Sequence, residues 1–244
     1  MVRLLSLFAL LSVVLLLACD LDVPPPTFVS NTPVNPYLDQ EITGDIELNN
    51  LAVGQGRRYV FFKASGFPTH TNEQVSYEAD TLVQKVVAEN DNGFLIGEYL
   101  TEGSYSKQVF VGNLSDVDSV FRYYYHVEND TLYVLPTDQI QLRSNFFGFA
   151  IGEFPRLRLN RVTDPDVTTS WDGEFCSDCA KTVGINEWTV RGNSYTELNA
   201  HLDTRLNQAD QLGLLQIYSA DAGFVRSAFH RANTNEGVGW DVLE

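Results

Sequence analysis

The chain has 244 residues, and its 16 Lys+Arg stand against 32 Asp+Glu, a formal charge of −16. A field of that sign repels nucleic-acid phosphates and anionic lipid surfaces, so DNA, RNA and polybasic-type membrane contacts are disfavoured. Hydrophobic residues make up 44% and aromatics 12%, which excludes a disordered chain, and roughly 190 folded residues can bury about 70% of their unfolded surface around one core.

The first element is apolar. After Arg3, residues Leu4 to Ala18 carry no charge. Such a run is shorter than the roughly 20 residues that cross a bilayer as a helix, and it reads as the core of a signal peptide. It ends in Leu16-Leu17-Ala18-Cys19, which resembles the lipobox of bacterial lipoproteins. The resemblance covers residues 1–20. It implies that residues 1–18 are removed, that Cys19 is lipidated on sulfur with palmitate-type chains, and that its new N-terminus is acylated. Removing Arg3 leaves 15 basic residues against 32 acidic, a net of −17 for the mature chain. The mature part is similar to β-rich envelope lipoproteins whose roles are uncharacterised.

Next come Val23-Pro24-Pro25-Pro26, Pro33 and Pro36. Prolines this dense favour an extended chain of about 3.1 Å per residue, so residues 19–44 read as a tether. Asp20 and Asp22 follow the cysteine and resemble surface-export signals in some Gram-negative lipoproteins and an inner-membrane retention signal in others. The expected place is the cell envelope, with the outer membrane or cell surface preferred to the inner membrane. The basic residues are 12 Arg and only 4 Lys, a balance similar to that of proteins from salty surroundings, where charge repulsion is screened within a few ångströms.

From Asp45 to the end at residue 244 the pattern is β. Tyr59 to Lys63 is aromatic and β-branched, and Val75 to Val87 leads through Asn90-Asp91-Asn92-Gly93 into Phe94 to Tyr99. Asn-Gly between two such runs is a hairpin signal, because both residues tolerate positive φ. Gln108 to Val111 is a short strand. Phe121 to Val127 turns at Glu128-Asn129-Asp130 into Thr131 to Leu135. A period of two puts Phe121, Tyr123, Tyr125 and Val127 on one face, with Arg122, Tyr124 and His126 on the other. Arg156 to Leu159 alternates, Asp164-Pro165-Asp166 is a turn, and Glu187 to Val190 is a strand. Leu198, Leu202 and Leu206 fit a helical stripe. The same segment also alternates with period two, and its β neighbours favour a strand. Leu214 to Tyr218 and Phe224 to Phe229 form a hairpin across Asp221-Ala222-Gly223. Roughly ten short strands without a clear helix predict an all-β, single-domain antiparallel sandwich or open barrel over 45–244.

Few residues suggest chemistry. With Cys19 lipidated, Cys176 and Cys179 are the remaining thiols. Asp172, Glu174 and Asp178 crowd them, which opposes a reactive thiolate, and no second cysteine pair completes a zinc site. A local disulfide suits an oxidising envelope and would be worth only about 2 kcal/mol for so small a ring. The histidines His70, His126, His201 and His230 lack ligand spacing, Gly54-Gln55-Gly56 meets Tyr59 where a dinucleotide fingerprint needs glycine, and no Gly-x-Ser-x-Gly elbow exists. Acidic stretches at Glu89–Gly93, Asp116–Asp118 and Asp164–Asp166 read as turns rather than calcium loops. No catalytic residue, metal or cofactor is expected.

The binding candidates are Tyr123, Tyr124 and Tyr125, whose rings must occupy both faces of a strand and could stack on a sugar or anchor a protein. The expected role is a non-enzymatic binding or structural domain held at the membrane by lipid, with a protein or glycan partner. The alternatives are a barrel carrying a small apolar ligand and a redox protein using Cys176 and Cys179. Cys19→Ser should release the protein from membranes or leave it unprocessed, as read by fractionation and mass. A processed, membrane-bound variant would contradict the lipobox reading.

Overall fold

The computed structural model describes residues 41–66, 73–102, 120–137, 145, 147–148, 156–163, 180–207, 212–231 and 236–243. Cys19, Cys176, Cys179, His70, the signal peptide, the tether, Gln108–Val111 and the acidic stretches at 116–118 and 164–166 lie outside them. The described elements are all strands: β1 (Gly44–Asp45), β2 (Gln55–Ser65), β3 (Gln74–Asn90), β4 (Gly93–Glu102), β5 (Val120–Glu128) and β6 (Thr131–Pro136). They continue with β7 (Arg156–Arg158), β8 (Ala180–Val190), β9 (Asn193–Asn207), β10 (Leu212–Ser219), β11 (Gly223–Arg231) and β12 (Glu236–Leu243). The segment that fitted both a helix and a strand is the strand β9, as its β neighbours favoured.

Eleven strands form one antiparallel sheet in the order β7-β6-β5-β4-β3-β2-β12-β11-β10-β9-β8, and β1 adds to β2 in parallel. The chain enters near the middle, runs outward to β7, reappears at the opposite edge as β8, and returns to close β12 against β2. Trp240 lies opposite Phe61, their rings 5.3 Å apart.

Local chemistry sets the turns. Asn129 and Asp130 both take positive φ, as a type I′ hairpin requires. At the Asn-Gly signal only Gly93 does so, at +112°, and Asn92 N–H instead donates to the Asn90 side-chain oxygen at 2.9 Å. That arrangement is a side-chain-stabilised turn followed by glycine. A Cβ on Gly93 would stand 2.5 Å from the Tyr125 carbonyl oxygen, so the neighbouring strand also demands glycine there.

The register separates two faces. One carries Tyr59, Phe61, Leu82, Gln84, Ile96, Glu98, Tyr123, Tyr125, Ser227 and Trp240, all buried. Tyr125 on β5 and Phe224 on β11 are separated by four strands, yet their ring centroids are 6.2 Å apart. Five flat interstrand steps would hold them about 24 Å apart. The sheet therefore rolls around this face. Phe147, from the β6–β7 connection, sits inside the roll against Tyr59 at 5.0 Å and Phe224 at 5.1 Å, and its carbonyl accepts the Ser227 hydroxyl at 2.8 Å. Its burial is complete, an arrangement worth roughly 1.5–3 kcal/mol for an aromatic side chain.

The roll nearly closes, which decides between sandwich and barrel in favour of a barrel-like sheet. At the end of β7 and just past it, the Arg158 and Asn160 carbonyls accept from the Asn199 side-chain amide on β9, at 2.9 and 3.1 Å. Val162 N–H donates to the same side chain's oxygen at 2.9 Å, and Tyr218 on β10 donates to the Arg158 carbonyl at 3.0 Å. Asn199 thus substitutes for a strand partner. Its neighbour Gly184 makes room: a Cβ there would lie 1.9 Å from the Val162 carbonyl oxygen.

Asn199→Leu should cost roughly 2–4 kcal/mol, because three backbone groups lose a partner at a buried seam. Gly184→Ala should destabilise in the same direction. Urea unfolding checks both, and a loss under about 1 kcal/mol for Asn199→Leu would contradict a seam held by this side chain.

Candidate functional site

The tyrosine triplet is split by the pleat of β5. Tyr123 and Tyr125 point into the roll and are buried, out of reach of a surface ligand. Inside, a polar line crosses the apolar packing: Tyr59 donates to the Gln84 side-chain oxygen at 3.2 Å, and the Gln84 amide donates to the Tyr123 hydroxyl at 2.8 Å. Glu98, fully buried, stands beside them. Burial pushes the Tyr59, Tyr123 and Tyr125 phenols well above their ordinary range, and the Glu98 carboxylate adds to each rise. These hydroxyls therefore stay protonated, and that of Tyr59 donates to Gln84 while that of Tyr123 accepts from it.

A second polar group lies on the outer face. Arg226 on β11 donates twice to the Asp241 carboxylate, at 2.6 and 2.7 Å, and once to Glu73 at 2.6 Å. Its guanidinium lies over Phe62 at 4.3 Å and Trp188 at 5.1 Å, while Tyr77 donates to Asp241 at 3.0 Å. Burial works against its charge, but Asp241 and Glu73 outweigh that and hold it above the ordinary arginine value. Trp188 belongs to the β8–β9 tip, which lies beyond a break in the pairing of the two strands at Asn186 and Glu197, where Glu197 takes φ +57°. With its polar partners internal, the group acts as a clamp on that tip.

The outer face of β5, β6 and β7 is different. Tyr124 sits opposite Leu135, His126 opposite Tyr133, and Tyr133 opposite Arg156. The His126 and Tyr133 rings are 6.2 Å apart, and the Arg156 guanidinium lies 5.8 Å from the Tyr133 ring centre. Asn90 fixes Tyr124 by donating to its hydroxyl at 3.0 Å. The three rings are half-buried, whereas Arg156 and Arg158 are exposed. These strands carry Arg122, His126, Arg156 and Arg158 with Glu128 as their one carboxylate, in a chain with twice as many acids as bases. This aromatic and basic band is the candidate site.

Sequence reading pointed to Tyr124 and placed His126 on its face, but missed Tyr133 and Arg156. Their alternating strands were visible; their adjacency needed the register. A charge count taken strand by strand, rather than over the chain, is the signal that would have found the band. The Glu89–Gly93 stretch is the β3–β4 turn. Ser227 and His201 face inward on one row, but Gln216 on β10 stands between them. That places their strands roughly 10 Å apart, too far for direct proton transfer.

No family model matches this chain, and no curated protein matches it. Among solved structures it is similar to a crystal structure of a domain described as an outer membrane lipoprotein-sorting protein from Vibrio parahaemolyticus. The identity is 6%, the TM-score 0.21, and the match covers 78% of this chain and 83% of that one. A likeness that slight carries no argument about fold or function.

Proposed function

We propose that this chain is a lipid-anchored envelope lipoprotein whose β domain binds a partner or fills a structural role without catalysis. The anchor is Cys19, and the Pro-rich tether sets the domain away from the bilayer. The observation that favours this reading over an apolar-ligand carrier is the occupied interior of the roll. Phe147, Tyr59, Tyr125, Phe224 and Trp240 are buried within it, and Phe147 is tied by Ser227 through its backbone. A carrier needs an apolar cavity lined by such residues rather than filled by them. A filled roll leaves the outer face for recognition. In this reading Cys176 and Cys179 form a local structural bridge.

Native mass spectrometry of protein extracted gently from its own membrane tests the reading. The expected mass is the mature polypeptide plus the acyl groups on Cys19, less two hydrogens for a Cys176–Cys179 bridge. A stoichiometric apolar ligand would contradict it and support the carrier. An unmodified Cys19 would contradict the anchor.

A further inference from the structure

Resting on the reading of a binding domain, we infer that the outer band of β5–β7 takes an acidic saccharide, a carboxylate-bearing strand of envelope polysaccharide. The face offers half-buried planar rings, Tyr124, His126 and Tyr133, at a spacing of about 6–7 Å along and across the strands. Rings held at partial burial suit the flat apolar face of a pyranose, and the Tyr124 hydroxyl, which accepts from Asn90, keeps its own proton to donate to a sugar hydroxyl. Around them stand Arg122, Arg156 and Arg158, and in these strands the one carboxylate is Glu128 at the turn end. Guanidinium forks match carboxylates in two-point contacts.

Size decides against a protein partner. The band is three strands wide and about four outward residues long, roughly 10 by 20 Å. A stable protein interface buries about 800 Å² on each side with an apolar centre. The exposed large apolar residue on these strands is Val127, 38% exposed at the hairpin end, which gives no such centre. Two or three linked sugars fit the span. The overall negative charge does not forbid an anionic ligand, because at physiological salt charges beyond about 8 Å are largely screened. An anionic bilayer is a different matter, since it would confront the whole acidic domain and not the band alone.

The test is isothermal titration of the full-length protein in neutral detergent micelles with a hexamer of mannuronate. Neutral laminarihexaose, hexaglutamate peptide and glycerol 1-phosphate serve as comparison probes. The acidic hexasaccharide should bind more tightly than all three. Arg156→Glu and Tyr133→Leu should each weaken it at least tenfold, while Arg231→Glu, exposed on β11, should leave it unchanged. Arg156 is exposed, so its variant tests the site without threatening the fold. Absence of binding, equal binding by Arg156→Glu, or equal binding of any comparison probe would overturn the inference. Membrane retention of the same preparations separates the two claims: retention without saccharide binding removes this inference alone, and loss of retention removes the lipoprotein reading.

Discussion

The contact between Tyr125 and Phe224 organises this molecule. The two rings belong to opposite arms of the sheet and meet because the sheet rolls around them. Phe147 completes the cluster from a connection between strands. Without these inward rings a sheet of eleven strands would have an apolar face open to water. Rolling buries that face and brings the end of β7 and the segment after it to β9, where one asparagine satisfies three backbone groups. The seam thus follows from the packing.

The polar groups divide according to what the roll does to them. Gln84 and the Tyr59 and Tyr123 hydroxyls are enclosed and satisfy one another, fixing one arrangement of an otherwise adaptable aromatic core. Arg226, Asp241 and Glu73 are enclosed on the other side, against the β8–β9 tip. Desolvating such a group costs as much as its attraction returns, so its value lies in position rather than net stability. Arg156 and Arg158 on β7 are left at the surface beside half-buried rings.

Much of the strand content could be read from the sequence. Period two in Phe121–Val127 separated Tyr123 and Tyr125 from Tyr124, and the burial follows that division. Val127 shares the inner parity but is exposed, because it stands next to the end of β5 at the hairpin. In β9, Leu198, Ala200 and Leu202 share one buried face, as alternation requires. What periodicity could not reveal was long-range pairing. β2 joins β12 across most of the chain, and no local pattern encodes that neighbour. Glu98 and Gln84 resemble surface residues by type, and only the roll makes them interior. Tyr133 and Arg156 were visible as residues but not as a pair, since a connection of nineteen residues separates their strands.

The central claim is that the sheet rolls until its two ends meet, and a distance across the seam tests it. Nitroxides introduced as noncanonical amino acids at Asn160 and Thr196, both exposed, can be measured by pulsed electron resonance in the full-length protein. Because Asn199 bonds the Asn160 carbonyl and lies three residues from Thr196, the rolled sheet predicts a separation under about 25 Å. In an open sheet β7 and β9 are nine interstrand steps apart, about 43 Å, and a distance near that value would contradict the account.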